Sequence, residues 1–146
     1  MSKFRRRTLT RLAAVQALFH SGKRSDIHSL TLKNFLDEAN RLQDNALKGL
    51  DKELLTNLVT GTKEQLNIIN PIIKNNLSTS WNFDRIDPVI ISILQLASFE
   101  LLNFTNLSPS IIINEYLDVA YSFYNTEEEK KFINGVLNAI STTVRE

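Results

Sequence analysis

The chain predicts an all-α fold, and three observations carry that prediction. Apolar residues recur at three- and four-residue steps along nearly its whole length. Only four Gly and three Pro punctuate 146 residues, too few for a many-turned β protein. Two dipeptides, Asp87-Pro88 and Ser108-Pro109, pair a capping side chain with a proline suited to the first helical position. With 42% hydrophobic residues, the chain has material for a core. The expectation is a single domain over residues 1–146, built from about six to seven helices.

The elements follow in order. Leu12, Val15, Leu18 and Phe19 form the inward stripe of a first helix, which Gly22 is placed to stop. Arg7 and Arg11, four apart, project from one side of it. Residues 21–50 are the most polar and least regular; a short second helix is expected from about Thr31 to Leu42, with Leu32, Phe35, Leu36 and Ala39 inward. A third begins near Asp51 and carries Leu54, Leu55, Leu58, Val59, Leu66, Ile69 and Ile73. Gly61 and Pro71 interrupt it, and Pro71, lacking a backbone donor, is expected to kink or end it.

From Asp87-Pro88 to Asn103 the residues are apolar nearly all round, which places that helix at the centre of the domain or under a partner, and leaves a homodimer open. A fifth helix from Ser108-Pro109 shows Ile113, Leu117, Ala120 and Phe123 in one stripe. A last helix, about Thr126 to Thr143, buries Phe132, Ile133, Val136, Leu137 and Ile140. Thr126 is its candidate cap, and Glu127, Glu128 and Glu129 suit the positive end of its dipole. Gly135 sits mid-helix, where close approach of another helix is the expected compensation.

Charge is unevenly spread. Lys3, Arg5, Arg6, Arg7, Arg11, Lys23 and Arg24 all precede the first acid, Asp26. The remainder holds ten Lys/Arg against sixteen Asp/Glu, so the net +1 conceals a basic end on an acidic body. Clustered like charges repel unless a polyanion neutralises them, and nucleic acid does so with release of counterions. A solvated tail, a membrane-surface segment or a mitochondrial-type presequence is the plainer reading of such an end. The apolar run Leu12-Ala13-Ala14-Val15 stops at Gln16, too soon for a secretory signal, and no later stretch is long enough to span a bilayer. The absence of cysteine fits a reducing compartment, the cytoplasm.

Catalytic signatures are missing. His20 and His28, eight apart and with no cysteine, do not make a metal site or a nucleophile–base pair. No glycine-rich phosphate loop follows a strand, so no cofactor is expected. Glu100, on the most apolar helix, is read as a paired carboxylate at the edge of the core.

Three stretches together carry a likeness. They are Arg5-Arg6-Arg7 with Arg11 and Val15-Gln16-Ala17-Leu18-Phe19; Trp81 with Arg85-Ile86-Asp87 and the run Leu94 to Leu101; and Ile113-Asn114-Glu115 with Ala120, Phe123 and Lys131-Phe132-Ile133-Asn134-Gly135-Val136-Leu137. Their order and spacing resemble the NusB family of bacterial transcription antitermination factors, from about residue 4 to residue 141. The resemblance implies two helical subdomains and no enzymatic activity. It implies binding of single-stranded boxA RNA in nascent ribosomal RNA transcripts, jointly with NusE, a small-subunit ribosomal protein, and assembly with other Nus factors on RNA polymerase.

By the same resemblance, Arg7 and Arg11 match the family's RNA-binding motif, which Lys3, Arg5 and Arg6 extend; Phe19, Phe123, Lys131 and Phe132 match positions on the same surface. Phe19 and Phe132 fit an inward stripe equally well. Ile90, Ile91 and Gln95 fall near the expected NusE side, with burial the alternative for the two isoleucines. The chain departs from the family where Glu127-Glu128-Glu129 replaces an Asp-Ser pattern, where Tyr116 replaces Ala, and where Gln95 replaces Arg. Two other functions stay in competition: a protein-interaction module docking on an acidic surface, and a NusB-like domain recruiting a ribosomal RNA methyltransferase. With 146 residues, no methyltransferase domain of its own is expected.

Overall fold

The structure is a computed structural model that describes residues 3–22 and 50–145, with side chains from residue 6 in the first helix up to residue 20. The short helix expected at 31–42 lies outside the described residues, as do Lys23, Arg24 and His28 and the side chains of Lys3 and Arg5. The described residues form six α-helices: α1 (Lys3–Gly22), α2 (Lys52–Glu64), α3 (Leu66–Asn75), α4 (Pro88–Asn103), α5 (Pro109–Tyr121) and α6 (Glu127–Val144). A 3-10 turn, Phe83–Arg85, precedes α4.

Helix starts are set by side chains that take up orphaned backbone donors. Asp51 accepts from the Leu54 amide at 3.0 Å, Asp87 from the Val89 amide at 2.8 Å, and Ser108 from the Ile111 amide at 3.3 Å. Pro88 and Pro109 stand where the missing N–H costs nothing. Thr126 holds the cap position of α6, but its hydroxyl bonds the Glu129 carboxylate and not a backbone amide.

The long third segment divides differently from its pattern. α2 runs through Gly61 to Glu64, the chain breaks at Gln65, and Pro71 lies inside α3. Pro71 and Asn67, whose carbonyl loses its donor, are both exposed, so water is at hand to replace that bond. Gly61 is required by packing: a Cβ there would lie 2.4 Å from the Phe99 ring of α4. At Gly135 the expected close helix approach is absent, since nothing lies within 4 Å of an added Cβ.

α4 packs against all five other helices. Most of its apolar circumference is thereby taken up inside the protein, while Ile91 remains half-buried at a cleft. Ile93, Leu94, Leu96 and Leu101 of α4 are fully buried among Leu55 and Leu58 of α2, Ile69 and Ile73 of α3, Ile112 and Tyr116 of α5, and Ile133 and Leu137 of α6. The buried face of α5 sits one residue from its expected stripe. Ile112, Tyr116 and Val119 are inward with Ile113 and Ala120, while Leu117 and Phe123 are half-buried. Arg145 fastens the end of α6 to the α4–α5 connection, donating to the carbonyls of Leu101 (2.5 Å), Phe104 (2.9 Å) and Leu107 (2.9 Å).

Candidate nucleic-acid interface

The arginines of α1 part company. Arg6 and Arg7 are exposed and join no ion pair among the described residues. Arg11, expected beside Arg7 on the outward face, is 3% exposed. Its Nε donates to Glu100 Oε2 at 2.8 Å and its Nη2 to Glu100 Oε1 at 2.7 Å. Its Nη1 lies 3.8 Å from Glu115 Oε2. Glu100, at 0% exposure, sits in the centre of the core and not at its edge. The Tyr116 hydroxyl donates to the same Glu100 oxygen as Arg11 Nε, and Thr8 donates to Glu115 at 2.8 Å.

This cluster explains both the buried guanidinium and the shifted face of α5. A charge inside a protein is tolerable only when paired and hydrogen-bonded. Burial disfavours the Arg11 charge, but the bonds and charge of Glu100, with Tyr116 and Glu115, outweigh it and raise its pKa above the ordinary arginine value. Burial, reinforced by the Glu100 charge, pushes the Tyr116 phenol well above its ordinary range, so it stays a donor. Arg11 is therefore a positioning residue: it clamps α1 to α4 and α5 and leaves Arg6 and Arg7 outside. Thr10 adds a second tie, donating to the Arg6 carbonyl at 2.8 Å and accepting from the Asp51 amide at 3.0 Å.

The other expected residues fall in separate places. Arg7 and Arg11 border a cleft of about 340 Å³ with Asp51 and Phe104. Lys131 and Phe132 border one of about 280 Å³ with Trp81 and Gly135. Phe132 is half-buried, its ring 4.6 Å from that of the exposed Trp81. Phe123 is half-buried against the core, its ring 6.5 Å from that of Tyr124. Phe19, Ile91 and Gln95 share a third cleft of about 410 Å³ with Lys63 and Phe83, which joins one residue assigned to RNA with two assigned to the partner. Ile90 is 7% exposed and belongs to the core, so it is not available to a partner. Gln95 is half-buried and donates to Asn70 at 2.9 Å. In the acidic turn of α6, Glu127 accepts from Tyr121 at 2.9 Å and Glu129 from Thr126, so two of the three carboxylates have local partners. Lys130 lies 3.3 Å over the Tyr121 ring. No group of three or more metal-ligating side chains occurs among the described residues, and no described helix is long and apolar enough to cross a membrane.

The sequence model of the NusB family matches residues 8–142. The chain belongs to the NusB family. Among curated NusB relatives, the transcription antitermination protein of Granulibacter bethesdensis is 30% identical over 97% of this chain and 90% of its own length. That of Gluconobacter oxydans is 33% identical over 94% and 87%. Among solved structures, T. maritima NusB superposes with a TM-score of 0.76 at 33% identity, covering 97% of this chain and 93% of that one. A structure of the antitermination factors NusB and NusE with double-stranded RNA matches with a TM-score of 0.78 at 26% identity, covering 95% and 98%. The NusB likeness thus extends over nearly the full length of each of these relatives.

Two features of this NusB-family chain, one at the surface and one in the core, escape sequence reasoning. Trp81 and Phe132, 51 positions apart, meet only through the packing of the α3–α4 connection on α6. Tyr116, a departure from the family pattern, becomes intelligible as the extra donor that Glu100 receives. An aromatic where a small residue is usual was the one available signal.

Proposed function

We propose that this chain is a non-catalytic, cytoplasmic transcription antitermination factor that binds the boxA element of nascent ribosomal RNA together with NusE, and joins other Nus factors on RNA polymerase. The whole chain is taken to act as one RNA-binding domain. The observation that carries the reading is the membership in the NusB family over residues 8–142, set beside a cationic α1 whose Arg6 and Arg7 are free to meet phosphates. Arg6 and Arg7 supply charge, Lys131 extends it, and the half-buried Phe132 and exposed Trp81 offer aromatic surface. That combination suits RNA, which proteins hold by cations on phosphates and by stacking on unpaired bases. The cleft of Phe19, Ile91 and Gln95 is left for the protein partner, and Arg11 acts from inside.

The test is a titration of labelled boxA-like RNA and of a scrambled strand of equal length, each with and without NusE. Preference for the boxA strand that sharpens when NusE is present supports the proposal. Equal, weak binding of both strands in both conditions contradicts it.

A further inference from the structure

Trp81 is the only tryptophan of the chain and stands 52% exposed at the surface. An indole left that far in water gives up about half of its burial, and exposed aromatic surface of this kind marks a contact site. Its ring leans on Phe132 at a centroid distance of 4.6 Å and an interplanar angle of 52°, so the two rings form a wedge and not a closed stack. Gly135 lies one turn further along α6, on the border of the same cleft. Glycine is unfavourable inside a helix, and here the protein itself makes no use of it, because the space beyond its Cα is empty. A flat ligand lying against the α6 backbone gives that residue a purpose. Lys131, exposed beside the wedge, adds a positive charge.

We infer that Trp81, Phe132 and Gly135 form a slot for one unpaired nucleobase of the bound RNA, with Lys131 neutralising an adjoining phosphate. This rests on the RNA reading above and adds a subsite to it. The polar groups on the border are already engaged: the Asn76 amide donates to the Ile72 carbonyl at 2.8 Å, its oxygen accepts from Thr143 at 3.2 Å, and the Ser78 and Ser80 hydroxyls pair at 2.8 Å. The slot therefore takes a base by its face and discriminates weakly between bases, as stacking platforms do.

The single indole makes the test direct. Single-stranded boxA-like RNA is titrated while Trp81 emission and the anisotropy of a label on the RNA are read together. Emission falls with the same midpoint as the anisotropy change, and one abasic substitution in the RNA restores it. Trp81→Ala weakens binding about 5- to 150-fold without altering the salt dependence, and Trp81→Phe recovers most of the loss. Gly135→Leu, which fills the empty space, weakens binding to a similar degree while thermal unfolding shows the fold intact. A fully paired duplex of the same sequence leaves the emission unchanged. Normal RNA affinity by anisotropy with constant emission, and with Trp81→Ala binding as tightly as wild type, overturns the slot and leaves the RNA reading standing. Quenching by NusE alone, with no further change on adding RNA, also overturns it. Failure of any RNA to bind by anisotropy removes both.

Discussion

Arg11 and Glu100, 89 positions apart in sequence, close a two-pronged ion pair in the interior, with Glu115 3.8 Å from the guanidinium and Tyr116 donating to the Glu100 carboxylate. Breaking such a pair strands the remaining ion, and the loss is about 3–5 kcal/mol. Arg11→Ala is expected to cost that much in denaturant unfolding. Arg11→Met combined with Glu100→Leu is expected to cost much less than the sum of the two single changes, because neither member of the pair is stranded and Glu115 keeps its bond from Thr8. Additive losses would contradict the pairing.

Tyr116 makes the same cluster sensitive to alkali. Burial holds its pKa well above the ordinary tyrosine range, so the folded protein keeps the phenol neutral after the unfolded chain has begun to ionise. A group with a raised folded pKa contributes stability that is full below its unfolded pKa, about 10, and declines above it. The stability gap between wild type and Tyr116→Phe is therefore constant from neutral pH to about pH 9 and narrows beyond about pH 10. A gap that stays level through that range would place Tyr116 in contact with water.

The two mid-helix glycines are expected to respond in opposite directions to alanine. At Gly61 the new Cβ meets the Phe99 ring at 2.4 Å, and overpacking of this kind costs about 1–3 kcal/mol. Phe99→Leu in the same chain relieves part of the loss. At Gly135 the Cβ enters empty space, and the gain in helix propensity is about 1 kcal/mol. Thermal unfolding of the two variants measures both effects.

Arg145 is expected to matter to stability although it stands at the end of α6. It bonds the Leu101 carbonyl in the last turn of α4 and the Phe104 and Leu107 carbonyls in the connection that follows, where the Phe104 carbonyl also accepts from the Leu107 amide. Arg145→Ala is expected to cost about 1–3 kcal/mol, since hydrogen bonds from charged donors rank among the stronger ones and these three are part-buried. Amide exchange in residues 101–107 should accelerate with it. Unchanged exchange there would show that the three bonds carry no weight.

Local signals in the sequence proved readable and distant ones did not. Asp87-Pro88 and Ser108-Pro109 announce helix starts because cap and proline act on neighbouring amides, and the apolar circumference of α4 announces a central helix. Arg11 looked like Arg7 because helical spacing reports direction from the axis, not what stands opposite, and Glu100 arrives from another helix. The break at Gln65 was missed because Gly61 and Pro71 carry the obvious breaking chemistry, yet packing on Phe99 holds the first and solvent accommodates the second. For the interface, the cationic character of α1 was legible, while the meeting of Trp81 with Phe132 was a product of the fold.

The account turns on a division of labour within α1: Arg6 and Arg7 meet phosphates, and Arg11 holds the helix. The dependence of RNA affinity on salt measures it most directly. Arg6→Ala with Arg7→Ala should flatten the slope of log K against log salt by about 1.4, two phosphates at about 0.7 each for a single strand. Arg11→Lys, read under conditions where it remains folded, should leave the slope as in wild type. Equal slopes for wild type and the Arg6/Arg7 double variant, or a flattened slope for Arg11→Lys, would contradict the account.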